Sequence, residues 1–488
     1  MNVHVRKPDR IFDRNVEWEG LVRFATADSS DVRLGIVSGR RRQGKTYLLD
    51  AAVTAFGGFF FSATDATEAE SLADFGRAIA AVGSGGGGRY AFSDWDEALQ
   101  RLFAQVTDGI IVIDEFPYLI KASSSLPSLI QRALGPRGYA RESAARLLLS
   151  GSAMSVMGRL LGAGAPLRGR ASLEMLIRPF GYRDAARFWG ITDSRLAILV
   201  HSIVGGTPGY RREFVAGDSP TSLADFGPWV IRTVLNQQLP LFREARYLLA
   251  EETEIRDTAL YHAVLGAIAA GNATRGGIAS YIGRKSPDIG HPLTVLEDSQ
   301  LITREVDPFR RRRSAYRITE PLIVFYEAVM RREWTRLERG DPAGAWANSQ
   351  STFLSQVVGP HFEAICRDWA LDAGAPAFGE APGEVGSGIV ADSTRRSQIQ
   401  IDVAVLAAGE PGQPRRILSL GEAKWDTVMH PGHLERLRRA RDLLAVRGYN
   451  TGRTRLTCYS GAGFDPALRD AAAADPRVQL VGLDQLYE

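Results

Sequence analysis

The chain is poor in lysine and nearly devoid of cysteine. Among its 59 basic residues only Lys7, Lys45, Lys121, Lys285 and Lys424 are lysine. Arginine's planar fork cannot stand in for a compact ammonium, so each retained lysine is a functional candidate. Cysteine occurs only at Cys366 and Cys458, with no Cys-x-x-Cys and no Cys/His ligand spacing. That argues against a disulfide framework or a zinc site and leaves two buried thiols. No apolar run approaches the ~20 residues that span a bilayer, so no membrane role is expected. Residues 1–10 carry charges and a proline where a secretory signal needs an apolar stretch, and the chain is expected in the cytoplasm. Net charge is only +3, so any nucleic-acid role must rest on local patches.

What is present is 488 residues, 45% hydrophobic and 24% charged, enough for several cores. Apolar runs at 34–38, 58–61, 109–113 and 146–150 alternate with amphipathic segments, the pattern of a parallel α/β sheet. The glycine run 83–88 reads as a flexible break. Residues 191–270 read as helices, one of them at 193–204 before the break Gly205-Gly206-Thr207-Pro208-Gly209. Helices at 255–270, 275–282 and 287–299, then strands at 301–305 and 314–318, describe a winged helix-turn-helix. The expected division is an ATPase domain at 1–190, a helical lid at 191–253, the winged helix at 254–335, and a last α/β domain at 336–488.

The sharpest motif is Gly39-Arg40-Arg41-Arg42-Gln43-Gly44-Lys45-Thr46, after a strand and before a helix. Its glycines let backbone N–H groups wrap phosphates, Lys45 neutralises the β/γ oxygens and Thr46 binds Mg²⁺. The loop residues Gly39 to Thr46 are thus the candidate ATP contacts. The apolar run ending in Asp114-Glu115 supplies the second half, Asp114 for Mg²⁺ and Glu115 for the attacking water. Ser152, after a third apolar run, reads either as a γ-phosphate sensor or as a plain turn residue. Arg170 reads as an arginine finger or a solvated arginine.

In the winged helix, Arg310, Arg311, Arg312 and Arg313 cluster at the wing tip, a phosphate-binding patch or a solvated edge of a structural lid. Asp288, His291, Thr294 and Glu297 on the recognition helix are too mixed to predict base readout. Farther on, an amphipathic helix at 353–371 carries Glu363, and strands at 398–406 and 417–424 carry Asp402 and then Glu422 and Lys424. Glu422 and Lys424 share one face of their strand. Asp402 and Glu422 can hold a divalent cation while Lys424 acts on a water beside a phosphate, the chemistry of phosphodiester cleavage. The alternative is a hairpin with exposed charges. His430 and His433 follow and read as surface histidines at a helix start, with a metal or acid–base role as the other reading.

The order Phe12-Asp13-Arg14, phosphate loop, Asp114-Glu115-Phe116-Pro117-Tyr118, Gly151-Ser152, Gly205-Gly206-Thr207-Pro208-Gly209-Tyr210 and winged helix resembles archaeal-type ATPases of the STAND/AAA+ kind over most of residues 10–330. That resemblance implies a nucleotide switch coupled to a lid and winged helix, and assembly into homo-oligomers. An α-β-β-α-β order over residues 350–488 resembles the PD-(D/E)xK nuclease fold and the DUF234 domain attached to such ATPases. Ile401 stands where the name-giving proline would be, and no other strand is flanked by acids for a second metal. The expected protein is therefore α/β: a P-loop NTPase sheet with a helical lid, a winged helix and a restriction-endonuclease-like domain. ATP and Mg²⁺ are its cofactors and nucleic acid, most simply DNA, its partner. The alternatives are a switch whose C-terminal domain only binds nucleic acid or protein, and a transcriptional regulator.

Overall fold

Alternation within β3, Ile110–Asp114, explains how the first half of the chain is built. Ile111 and Ile113 enter one apolar core with Phe59, Phe75, Trp95 and Leu149, while Ile110 and Val112 enter another with Leu48, Leu49, Trp18 and Leu148. A strand apolar on both faces must be covered on both, as in a parallel sheet flanked by helices. The computed structural model, which describes residues 5–28, 33–82, 90–250, 257–409 and 413–488, has this arrangement. The glycine run 83–88, the first two residues of the helix expected from 255, and residues 410–412 fall outside it. Among the described residues no helix is long and apolar enough to cross a membrane.

The chain divides into two compact units. One holds the chain up to Pro179 together with Thr207–Gly209; the other holds Phe180–Gly206, Tyr210–Leu249 and Asp257–Glu488. The sheet of the first unit comprises β1 (Leu34–Ser38), β2 (Gly58–Ser62), β3, β4 (Arg146–Gly151) and β5 (Ala171–Leu176), all parallel, in the order β2-β3-β4-β1-β5. Four strands lie where apolar runs predict them. The fifth, β5, is a half-exposed edge strand whose apolar residues alternate with Ser172 and Glu174, so it forms no run.

In the second unit, helices Thr258–Ala269, Arg275–Tyr281 and Gly290–Asp298 precede the antiparallel hairpin β6 (Ile302–Val306) and β7 (Ser314–Ile318). The expected three helices and hairpin follow one another in that order, the third helix opening with a 3₁₀ turn, Ser286–Ile289. Asp257 and Thr274 cap the first two helices by accepting the N–H groups of Leu260 and Gly277.

The last sheet runs β12-β11-β10-β9-β8, from β8 (Pro382–Asp392), β9 (Ser397–Ala407), β10 (Ile417–Lys424), β11 (Arg455–Ser460) and β12 (Val478–Val481). The first three strands are an antiparallel meander and the last three are parallel. To the α-β-β-α-β order read from the sequence the structure adds β8 before the first strand, the helix Pro466–Ala474 between β11 and β12, and the helix Leu483–Tyr487 after β12. β8 contains Gly383, Gly386 and Gly388 and lies at the sheet edge, so neither composition nor apolar pattern announces it. Cys366 and Cys458 are buried free thiols, as expected.

Within this unit the helices Ser194–Val204 and Gly359–Phe378 meet through a histidine pair, with His201 Nδ1 and His361 Nε2 2.8 Å apart. Burial drives the His201 pKa down to about 4, and burial followed by the His201 ring drives His361 well below its ordinary value. A depressed histidine pKa means that the unfolded chain, titrating near 6.5, takes up protons first. Stability from this pair is therefore complete above pH ~6.5 and is lost as pH falls toward 4. The expected slope is at most about 1.4 kcal/mol per pH unit for each histidine. Urea midpoints between pH 7 and 4.5 check this: His361→Gln should flatten the pH dependence, and an unchanged slope would remove the pair as its source.

Candidate functional site

β1 ends in Ser38 directly beside Gly151 of β4, and Ile113 of β3 pairs with Leu149 of β4. The phosphate loop, Asp114-Glu115 and Ser152 therefore emerge together at the carboxyl ends of adjacent parallel strands, where α/β sheets bind ligands. β4 lies between β1 and β3 in the sheet, so all three strand ends are neighbours.

Gly39 and Gly44 adopt φ of 154° and 86°, and Gly44 precedes the helix Lys45–Phe56, whose N-terminus opens on the loop. Lys45 is buried, and its ammonium donates to the Gly39 and Arg40 carbonyls at 2.6 and 3.0 Å. Thr46 Oγ1 donates to Asp114 Oδ2 at 2.6 Å, while the buried Asp114 Oδ1 has no hydrogen-bond partner. A buried carboxylate oxygen with no donor, beside a threonine hydroxyl, fits a Mg²⁺ ion. Glu115 sits at φ 51°, uncommon for a residue with a side chain, and Ser152 Oγ donates to both its oxygens at 2.8 and 3.2 Å. The structure thus brings Ser152 to Glu115. Arg170 is exposed.

The flanking loop residues are held by groups that motif reading does not assign. Arg41 donates to the Tyr118 hydroxyl. The Gln43 carbonyl accepts from Arg14 at 3.2 Å, and the Arg42 carbonyl accepts the Gly209 N–H at 3.1 Å. A side chain at Gly209 would collide with Arg42. Both Arg14 and Gly209 lie in the strings that carry the family resemblance, which was the available signal.

The second cluster lies where β9 and β10 part. Their pairing runs from Leu406↔Ile417 to Val403↔Gly421. Beyond it Asp402 turns into the fork, Oδ2 accepting the Ala423 N–H at 3.0 Å and Oδ1 accepting from Gln400 at 3.0 Å. Lys424 Nζ stands 3.6 Å from Asp402 and 3.3 Å from Glu422 Oε1, which is also 3.2 Å from Arg436. Asp402 and Glu422 are buried, yet Glu422 Oε1 makes no aligned hydrogen bond. Glu363 lies close enough for the Asp402 charge to act on it; burial first and that charge second push its pKa up to about 7. Arg367 from the same helix donates to the Asp402 carbonyl at 3.0 Å. The expected residues Asp402, Glu422, Lys424 and Glu363 are thus gathered, and Gln400, Arg367 and Arg436 join them unannounced. His433, read as a surface residue, is buried: it occupies the third position of the helix Pro431–Val446 and its Nδ1 accepts the His430 N–H at 3.1 Å. His430 is exposed. Among the described residues no three His, Cys, Asp or Glu side chains are arranged to hold a metal ion. Glu422 Oε1 faces Lys424 and Arg436, so a cation held by Asp402 and Glu422 would displace them and take its other ligands from outside the protein.

No family model matches the chain. It is 27% identical over 351 residues to an uncharacterized protein of Methanocaldococcus jannaschii, covering 71% of this chain and 74% of the relative. Among solved structures, the Walker-type ATPase PABY2304 of Pyrococcus abyssi is similar at TM-score 0.49 and 21% identity, over 67% of this chain and 99% of the other. The Aeropyrum pernix ORC2 protein is similar at TM-score 0.40 and 12% identity, over 71% and 97%.

Proposed function

We propose that the first unit binds and hydrolyses ATP. The observation that carries this is the convergence of Lys45, the bonded pair Thr46 and Asp114, and the bonded pair Ser152 and Glu115 at adjacent strand ends. Lys45 exchanges its loop carbonyls for β/γ-phosphate oxygens, Thr46 and Asp114 hold Mg²⁺, and Glu115 orients and deprotonates water. Release of Glu115 from Ser152 frees the carboxylate to do so. Glu115→Gln is expected to keep nucleotide affinity and lower turnover by about 100-fold or more, the scale of general-base loss. Phosphate release and nucleotide titration check it, and normal turnover would remove Glu115 from that role.

We further propose that Asp402, Glu422 and Lys424 cleave nucleic acid and that nucleotide state governs this activity. Support comes from Lys424 facing both carboxylates within 3.6 Å at a strand fork. Mg²⁺, when bound by Asp402 and Glu422, supplies Lewis-acid stabilisation of the phosphate. Lys424 holds the attacking water and the developing charge. A second reading, a nucleotide switch whose C-terminal domain only binds nucleic acid, is favoured by the ion pairs that Lys424 and Arg436 already make with Glu422. Plasmid nicking with Mg²⁺ or Mn²⁺, with and without ATP, separates the two; no cut on any DNA or RNA leaves the switch.

A further inference from the structure

The wing is docked on the edge of the last sheet. Asp307 is buried, with Oδ1 accepting the Phe309 N–H at 2.9 Å and Oδ2 accepting the Ile389 N–H at 3.2 Å. Ile389 belongs to β8, the edge strand, so this carboxylate covers an N–H that has no strand beyond it. The Phe309 ring packs edge-on to Tyr449, centroids 5.9 Å apart, and a side chain at Gly388 would run into Phe309 and Asp307. Val306 and Pro308 lie against Gly386, and Asp307 and Phe309 against Gly388 and Ile389. The chain from 306 to 309 therefore lies along β8 between Gly386 and Ile389, and the Tyr449 hydroxyl donates to the Pro308 carbonyl at 3.5 Å.

The docked wing and the turn after β8 each carry arginines. Arg311, Arg312 and Arg313 are exposed at the wing tip, and Arg395 and Arg396 are exposed in the β8–β9 turn. Ile389 and the end of β8 at Asp392 are three residues apart, about 10 Å. Arg447 is also exposed and donates to the Ala391 carbonyl, between the two sets. None of these six makes an ion pair among the described residues, whereas nearby acids are engaged: Asp392 by Arg439 at 2.9 Å, and Glu384 by Arg415. By contrast, the recognition helix exposes acids, Asp288, Glu297 and Asp298, along with Arg284 and Lys285 before it, and has no comparable run of arginines.

We propose that the docked wing and the β8–β9 turn form one continuous arginine surface that binds nucleic-acid backbone without reading sequence, and that the recognition helix stays off the duplex. This rests on the nucleic-acid part of the function proposed above but not on cleavage. The wing's docking point at Ile389 and the start of the turn at Asp392 lie about 10 Å apart along β8, a span of about three nucleotides of one strand at about 3.4 Å each.

The test is fluorescence anisotropy of the full chain on two unrelated labelled duplexes, in EDTA so that no cutting occurs, across a salt series. Replacing Arg311, Arg312 and Arg313 by serine, or Arg395 and Arg396 by serine, should each lower affinity about tenfold or more and shallow the salt slope by about 0.9 for each phosphate no longer neutralised. The loss should be equal for both duplexes. Gly388→Val and, more gently, Asp307→Ala keep every arginine but loosen the wing, and should also lower affinity. Cleavage is scored separately, on the wild type with Mg²⁺, so failure to cleave and failure to bind are separate results. Wild-type protein that binds no duplex, or slopes unchanged in both arginine sets, would overturn the proposal. So would discrimination between the duplexes, or wing-loosening variants that bind like the wild type.

Discussion

Asp402→Ala and Glu422→Ala should each bring Mg²⁺-dependent cleavage to background, while ATP turnover continues. Both carboxylates are buried and both approach Lys424, and among the described residues no third ligand group is arranged to compensate. Removing either therefore leaves one protein ligand for the ion, too few to hold it against hydration. Removing Asp402 also leaves the Ala423 N–H without its acceptor, a local cost of about 1–3 kcal/mol. Asp402→Asn is the gentler control, since its amide oxygen still accepts from Ala423. Lys424→Ala should retain metal binding and slow cutting by about 100-fold or more, as expected when a group acting on the attacking water is lost. Supercoiled plasmid, scored for nicked and linear forms, gives the rates, and phosphate release from the same samples gives ATP turnover. Cleavage that persists in both carboxylate variants would move the activity elsewhere and leave this cluster structural.

Lys45→Ala should weaken ATP binding by about 100-fold or more, because charge-assisted hydrogen bonds of about 1.5–3 kcal/mol each are lost together. The fold should tolerate it. Lys45 is buried and bonded to the Gly39 and Arg40 carbonyls, but those carbonyls belong to a loop that opens at the strand ends. Isothermal titration with ATP and Mg²⁺, set beside far-ultraviolet circular dichroism, separates lost affinity from lost structure. If cleavage answers to nucleotide, Lys45→Ala should also make cutting independent of added ATP. Binding close to the wild-type value would show that the loop backbone and helix N-terminus hold the phosphates without the ammonium.

What is legible in the sequence has a common property: it is contiguous. The loop from Gly39 to Thr46 needs one strand before it and one helix after it, and β1, β2, β3 and β4 announce themselves as unbroken apolar runs. Asp402, Glu422 and Lys424 are recoverable because two apolar strands with polar ends suffice to place them. β5 and β8 are not: both are half-buried edge strands that carry Ser172 and Glu174 or three glycines, whereas the edge strand β2 keeps three consecutive phenylalanines.

The sequence by itself determined the contiguous apolar elements and the motifs at their ends, because steric preference, hydrophobic period and glycine freedom act over a few neighbouring residues. Only the tertiary structure decided which polar groups meet. Ser152 reaches Glu115 across 37 residues and Asp307 reaches Ile389 across 82. His433 is buried though its local sequence reads as a helix start at the surface. Those meetings depend on strand order and on which edge a hairpin covers. Both are selected by burying whole layers of apolar surface, and no short stretch of chain carries that information.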